Sequence, residues 1–316
     1  MMTSGSVITN FTEVEYIDNS LSDLLVVNAA RVSFNKRHDE FIPEKDTGLI
    51  NFLMKHKHWS PFAHPHGTVR LPMDHLELRD LVTNKTLMAG LTIGKEDIFG
   101  NCLVTGSLYA LLQLSQFLDD TMLVRTLVTN APVSTDAFFD VNGIPVGKDY
   151  AVDVEGYPLI DFLKEEEHPQ SVHTVLVKAP VFVARQLVKH QVGMVWNEVS
   201  RRYVDNDIQF YLPTEWRGVA KDKKQGSSLD LVRQLEGYGD YVDVLEDSLD
   251  WYEGNDAICP EQRRMILPQS MMTEWYWTGT LESWNRVFNL RLAKDTQAET
   301  REVVQQIADV IYTQGE

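Results

Sequence analysis

The densest concentration of chemically useful side chains lies between Lys189 and Tyr203: Lys189-His190-Gln191, then Trp196-Asn197-Glu198-Val199-Ser200-Arg201-Arg202-Tyr203. Cations, amides, a carboxylate and a hydroxyl this close together suit a phosphate joined to a pyrimidine ring. Arginine forks bind phosphate oxygens through two parallel hydrogen bonds, while Asn, Gln and backbone groups match the alternating donors and acceptors of a uracil edge. The competing reading is a basic helix end favoured by the macrodipole and followed by a solvated loop.

Four histidines, His56, His58, His64 and His66, form two H-x-H pairs around Trp59-Ser60-Pro61-Phe62, and imidazole is a common ligand of zinc, copper and iron. No carboxylate or cysteine at recognisable ligand spacing completes such a set, so no metal is expected, and a metal-dependent hydrolase stands only as a rival reading. Arg263-Arg264-Met265-Ile266-Leu267-Pro268 sets two guanidiniums before an apolar run, and Phe288-Asn289-Leu290-Arg291 sets one at a helix end. Either could equally make a surface salt bridge. Trp275, Trp277 and Trp284 have the size to stack on a flat cofactor, although a tryptophan stripe near a helix start more often packs in a core. No G-x-G-x-x-G or Walker loop occurs, which argues against Rossmann and P-loop nucleotide sites.

These residues need elements to hold them. Ser22 caps an apolar stripe and predicts a helix over 23–31; Asp46-Thr47 opens a second, which Ser60-Pro61 ends. Residues 64–72 read as a strand. The β-branched run 172–178 reads as a strand feeding a helix over 180–190, on which Gln186 shares a face with Lys189 and His190, followed by a loop centred on Gly193. An exposed loop at 221–228, helices over 229–252 and 280–291, and a last helix with the capping box Thr296-x-x-Glu299 follow. Between 73 and 171 the pattern predicts a helix near 107–117 and a hairpin over 138–154 turning at Asn142-Gly143. That stretch reads as an inserted subdomain. Val104-Thr105-Gly106-Ser107-Leu108 echoes Trp277-Thr278-Gly279-Thr280-Leu281, a similarity too short to carry weight alone.

The 316 residues, 43% hydrophobic and 24% charged, are enough for a folded protein of about two domains and exclude intrinsic disorder. Lys+Arg 29 against Asp+Glu 46 leaves a net charge of −17, which repels polymeric nucleic acid and anionic membranes and requires any anion to be held by a local basic pocket. Two distant cysteines, Cys102 and Cys259, make neither a disulfide framework nor a zinc pair and fit a reducing cytoplasm. A secretory leader and a membrane span are not expected.

Read together, the clusters resemble the flavin-dependent thymidylate synthases, the ThyX family, with its signature R-H-R-x7-S inside R-Q-x-x-R-H-R…N-E-x-S-x-R-Y. The matching stretch is Arg185-Gln186-Leu187-Val188-Lys189-His190-Gln191…Asn197-Glu198-Val199-Ser200-Arg201-Arg202-Tyr203. Further matches are 29–34, 54–64, Lys178-Ala179-Pro180, Tyr211-Leu212-Pro213, Arg264 to Pro268 and Asn289-Leu290-Arg291. Lys189 and Gln191 replace both signature arginines, and eight residues rather than seven separate Gln191 from Ser200.

The resemblance implies an α/β (α+β) fold with a strand-and-helix core formed by 1–72 and 172–316, around an inserted subdomain at 73–171. It implies a cytoplasmic homotetramer with sites at subunit interfaces, converting dUMP to dTMP with FAD, 5,10-methylenetetrahydrofolate as folate donor, and NADPH. By carry-over, Ser33, Ser60, His58, Lys189, His190, Gln191, Asn197 and Glu198 line the flavin site. Gln186, Ser200, Arg201, Arg202, Arg264 and Arg291 hold dUMP, and Arg291, His58 and Ser200 take the catalytic positions. The lost arginines leave a catalytically inactive nucleotide-binding homologue as the alternative.

Overall fold

The computed structural model describes residues 8–71, 73–84, 91–96, 102–118, 121–144, 171–220, 227–228, 230–232 and 237–313. The chain opens with β1 (Ile8–Thr9), β2 (Glu13–Ile17), α1 (Asp23–Arg31), α2 (Pro43–Lys55) and β3 (His66–Leu71). It continues through α3 (His75–Asn84), β4 (Leu91–Glu96), β5 (Cys102–Ser107), α4 (Leu108–Ser115), α5 (Thr121–Asn130) and α6 (Pro132–Asn142). The remaining part contains β6 (Val172–Pro180), α7 (Val181–Leu187), β7 (Met194–Glu198), β8 (Phe210–Tyr211), α8 (Tyr238–Gly254) and α9 (Pro260–Arg263). It ends with β9 (Met272–Thr280), α10 (Leu281–Arg291) and α11 (Ala298–Thr313).

Two antiparallel sheets, ordered β2-β6-β9-β7 and β3-β5-β4, carry the mixed helix-and-strand fold, and β1 pairs β8 in a small parallel ribbon. One core gathers α1, α2, β3 and the helices of 73–144 around buried Ile50, Phe62, Leu71 and Leu111. A second packs α7, α10 and α11 on β6 and β9 around Trp275, Trp277 and Trp284. The tryptophan stripe is therefore core. No helix among the described residues is long and apolar enough to cross a membrane.

Caps explain where several elements begin. Ser22 accepts the Leu25 N–H at the start of α1, and Thr280 accepts the Ser283 N–H at the start of α10, both as their sequences predict. Other boundaries differ from expectation. α2 starts at Pro43, because Asp46 reaches back to the Ile42 N–H, and it ends at Lys55, with Lys57 in the left-handed region; Ser60-Pro61 instead opens the 3-10 turn Ser60–Ala63. α7 stops at Leu187, so Lys189 and His190 lie in the turn after it and share no helix face with Gln186. That turn passes through Gly193, at φ 70, where a Cβ would collide with Ser283 Oγ, before entering β7, a strand the pattern did not predict. α8 starts at Tyr238 rather than 229, and residues 221–226 of the expected loop lie outside the described residues. The capping box of α11 is absent: Thr296 Oγ1 donates to Leu290 O, and Glu299 pairs with Arg217. Asn142-Gly143 makes no hairpin, because Gly143 at φ 64 ends α6 as a left-handed C-cap; residues 145–154 lie outside the described residues.

The segment expected as an insertion is hydrogen-bonded into the chain on both sides of its boundary, since β5 pairs with β3. It also repeats the later half. In β3-β5-β4 the register aligns Thr68, Thr105 and Thr92; in β6-β9-β7 it aligns Thr174, Thr278 and Val195. Each central strand bears a Thr–Thr hydroxyl pair, Thr68 with Thr105 at 2.8 Å and Thr174 with Thr278 at 2.7 Å. Each then runs through Gly into a helix capped by Ser107 or Thr280. The same distance along the chain from Thr68 and from Thr174 brings Arg79-Asp80-Leu81-Val82 and Arg185-Gln186-Leu187-Val188.

Candidate active site

The end of α10 and the turn after α7 meet in one polar knot. Arg291 Nε donates to His190 Nε2 at 3.0 Å, and Arg291 Nη2 donates to Gln186 O at 3.2 Å. Accepting from a guanidinium requires neutral imidazole. Burial, together with Arg291 itself, holds the His190 pKa below its usual value. Gln186 Nε2 in turn donates to Gln297 Oε1 at the start of α11. Residues of two motifs, Gln186 and His190 of one and Arg291 of the other, are thus brought together, with the amide of Gln297 as a partner.

A second knot forms where the 3-10 turn Val32–Phe34 meets β7. Ser33 Oγ donates to Glu198 O at 3.2 Å and the Ser200 N–H to Ser33 O at 3.1 Å, so the two serines are bound through backbone. Asn197 Nδ2 donates to Ala29 O at 3.1 Å. The Glu198 carboxylate accepts from Trp196 Nε1 at 3.0 Å and Thr273 Oγ1 at 2.8 Å. Arg201 donates to Asn206 O and Met272 O and lines a cavity of about 290 Å³ with Lys178, Asp207, Thr273 and Glu274. Burial lowers the Arg201 pKa and raises that of Glu274. Both charged groups sit in a poorly solvated wall.

The remaining residues differ in environment. Lys189, Gln191, Arg202 and Arg264 are exposed, and among the described residues Lys189, Arg202 and Arg264 have no ion-pair partner. Arg202 lies over the Tyr203 ring, its guanidinium 5.1 Å from the centroid, and that ring stacks on Phe34 at 4.8 Å. Cations without carboxylates in so acidic a chain fit an anionic ligand such as phosphate. Arg263, treated with Arg264 in the sequence, is instead buried, 4.4 Å over Tyr252 and 3.6 Å from Asp205. His58 and Ser60 are exposed; among the described residues no hydrogen bond or ion pair joins them, or Arg264, to either knot. His56 and His58 pack about Phe52, while His64 bonds Thr278 and His66 bonds His64 O. Among the described residues no group of three His, Cys, Asp or Glu could hold a metal ion.

Sequence reasoning missed Gln297, Thr273 and the ion pair of half-buried Arg217 with buried Glu299. Gln297 lies inside the expected capping box and Glu299 ends it, and that local pattern masked their long-range partners.

The chain matches the model of the Thy1 family, described as thymidylate synthase complementing protein, over residues 15–89 and 160–314. It is 30% identical over 316 residues to the flavin-dependent thymidylate synthase of Aquifex aeolicus, covering 93% of this chain and 95% of that protein. With the enzyme of the same name from Thermus thermophilus the identity is 36% over 171 residues, 50% of this chain and 60% of that one. A crystal structure of the UMP/dUMP methylase PolB from Streptomyces cacaoi aligns with 97% of this chain and 92% of that one, at 19% identity and a TM-score of 0.44.

Proposed function

The chain belongs to the Thy1 family of thymidylate synthase complementing proteins, and from that premise we propose that it is a flavin-dependent thymidylate synthase, methylating dUMP to dTMP. The observation that carries this is the 30% identity extending over 93% of the chain and 95% of the Aquifex enzyme, so the likeness is to a whole enzyme rather than to a fragment. 5,10-Methylenetetrahydrofolate supplies the carbon and NADPH the reducing equivalents. FAD, when bound, supplies the hydride chemistry.

The residues divide the work. Unpaired Arg202 and Arg264, with Arg201, hold the nucleotide phosphate; Gln186 and Ser200 add neutral contacts. Arg291, fixed by His190 and Gln186, presents its guanidinium to the uracil carbonyl and stabilises charge developing there. The residues around Ser33, Asn197 and Glu198 fit a flavin wall of hydroxyl, amide and backbone groups, with exposed Lys189 as the cation for a diphosphate, beside Gln191, His58 and Ser60. Residues 1–72 and 172–316 supply this whole site and 73–171 none of it. The exposed apolar side chains Phe34, Val192, Met265 and Leu290 near these residues suit a homotetramer whose subunits complete each other's sites. The chain works in the cytoplasm, where folate and NADPH are available.

The purified protein is expected to bind FAD, to show a flavin absorbance bleached by NADPH, and to yield dTMP from dUMP and 5,10-methylenetetrahydrofolate. Binding of dUMP and FAD without any dTMP would establish the inactive homologue instead.

A further inference from the structure

His64 is fully buried between the 3-10 turn Ser60–Ala63 and the sheet, yet no part of the proposed chemistry uses it. Its Nδ1 is 2.7 Å from Thr278 Oγ1, which is itself 2.7 Å from Thr174 Oγ1. On the other side, His64 Nε2 and Asn197 Oδ1 are both buried with no hydrogen-bond partner, and the fold brings them near each other: the His64 ring packs edge-on to Tyr276, 6.0 Å between centroids, and Tyr276 stands opposite Asn197 in the β9–β7 register. Burial, aided by His66 and opposed by Asn197, pushes the His64 pKa down to about 3, so the ring is neutral. A neutral imidazole has one donor and one acceptor nitrogen.

One arrangement would pair the two orphaned atoms with each other and keep the threonine bonds. A carbonyl oxygen such as Asn197 Oδ1 can only accept, so His64 Nε2 carries the proton and Nδ1 accepts from Thr278. Thr278 then accepts from Thr174. Asn197 would then be held at both ends, its oxygen by His64 and its Nδ2 by the donation to Ala29 O at 3.1 Å. Among the described residues no imidazole hydrogen-bonds the equivalent threonine pair, Thr68 with Thr105.

We propose that His64 is a positioning residue for the flavin site, a neutral Nε2–H tautomer that fixes the amide orientation of Asn197 on β7. This rests on the reading of Asn197 as a flavin-side residue. Without His64 the buried Asn197 oxygen has nothing to accept from, and the side chain is free to turn and to shift the strand that carries the flavin-side residues.

The test combines two measurements on the full-length protein. Nitrogen-15 NMR of the wild type at neutral pH should show His64 neutral with the proton on Nε2; a proton on Nδ1 or a charged ring overturns the proposal. FAD affinity is then measured for the wild type, His64→Leu, Asn197→Ala and the double variant, with circular dichroism confirming folding. Each single change is expected to weaken FAD binding about tenfold, and the double variant no more than the worse single one. His64→Gln, whose amide offers one acceptor and one donor, should recover part of the affinity. A folded His64→Leu protein with wild-type FAD affinity, or losses that add in the double variant, would refute the coupling. If His64→Leu does not fold, the tautomer and the His64→Gln affinity decide in the same directions. Wild-type protein that binds no FAD would fail the functional reading itself and the flavin role of His64 with it, while a Nδ1–H tautomer in an FAD-binding protein would fail only this proposal.

Discussion

In the proposed function binding and chemistry converge on Arg291, and its two hydrogen bonds dictate what its loss should do. Removing a guanidinium that faces a nucleotide costs roughly 1.5–3 kcal/mol for a charged hydrogen bond. Arg291→Ala is therefore expected to weaken dUMP binding by about one to two orders of magnitude in calorimetric titration. It should also let the His190 pKa rise, because Arg291 adds to burial in holding it down. Unchanged dUMP affinity would remove Arg291 from the substrate site. The arginine, His190 and Gln186 were legible in the sequence because motif residues name themselves by type. Their partners were not: nothing local distinguishes buried Arg263 from exposed Arg264, or marks Gln297 as the acceptor for Gln186.

At the scale of elements, a buried ion pair fixes the turn that carries Ser33. Arg31 Nη2 at the end of α1 lies 2.5 Å from Asp46 Oδ1 in α2, and Asp46 is fully buried. Burial alone would raise the Asp46 pKa, but the Arg31 guanidinium beside it and the hydrogen bond from the Ile42 N–H bring it below its usual 3.8. A carboxylate depressed in the fold stabilises it above the unfolded pKa, and the contribution is lost as pH falls through the folded value. Asp46→Asn should cost about 3–5 kcal/mol at pH 7, since it strands Arg31, with the gap to wild type narrowing near pH 3. Denaturant unfolding at the two pH values checks this, and an equal gap at both would contradict it. Legibility here followed the caps. Helices opened by Ser22 and Thr280 were readable, whereas Asp46 resembled a helix start while reaching back to Ile42. Gly143 resembled a hairpin turn because a C-cap and a tight turn ask the same positive φ of glycine. β7 left no signal, since all five of its residues are half-buried and show no alternation.

At the scale of the molecule, the described residues hold two modules of the same strand order, register and helix cap, and the proposed site residues fall in the second. Asp80, Asn84 and Leu118 stand where Gln186, His190 and Arg291 stand in the second module, so the first lacks both the guanidinium and the imidazole. One dUMP per chain is expected by equilibrium dialysis, and two per chain would show that the first module binds nucleotide as well. The short echo around Thr105 and Thr278 was the visible trace of this repeat; the rest was hidden because register, not residue identity, is what the modules share. The central claim is methylation through flavin without a thiolate nucleophile. Cys102 is buried in β5, and Cys259 is exposed, its Sγ 3.6 Å from Gln262 Oε1; among the described residues no hydrogen bond or ion pair joins a cationic side chain to the Cys259 thiol to stabilise a thiolate. The most direct measurement is dTMP formation by the Cys102→Ala, Cys259→Ala double variant, supplied with FAD, dUMP, 5,10-methylenetetrahydrofolate and NADPH. The account predicts turnover close to that of the wild type; a folded variant that binds FAD and dUMP normally yet forms no dTMP would contradict it.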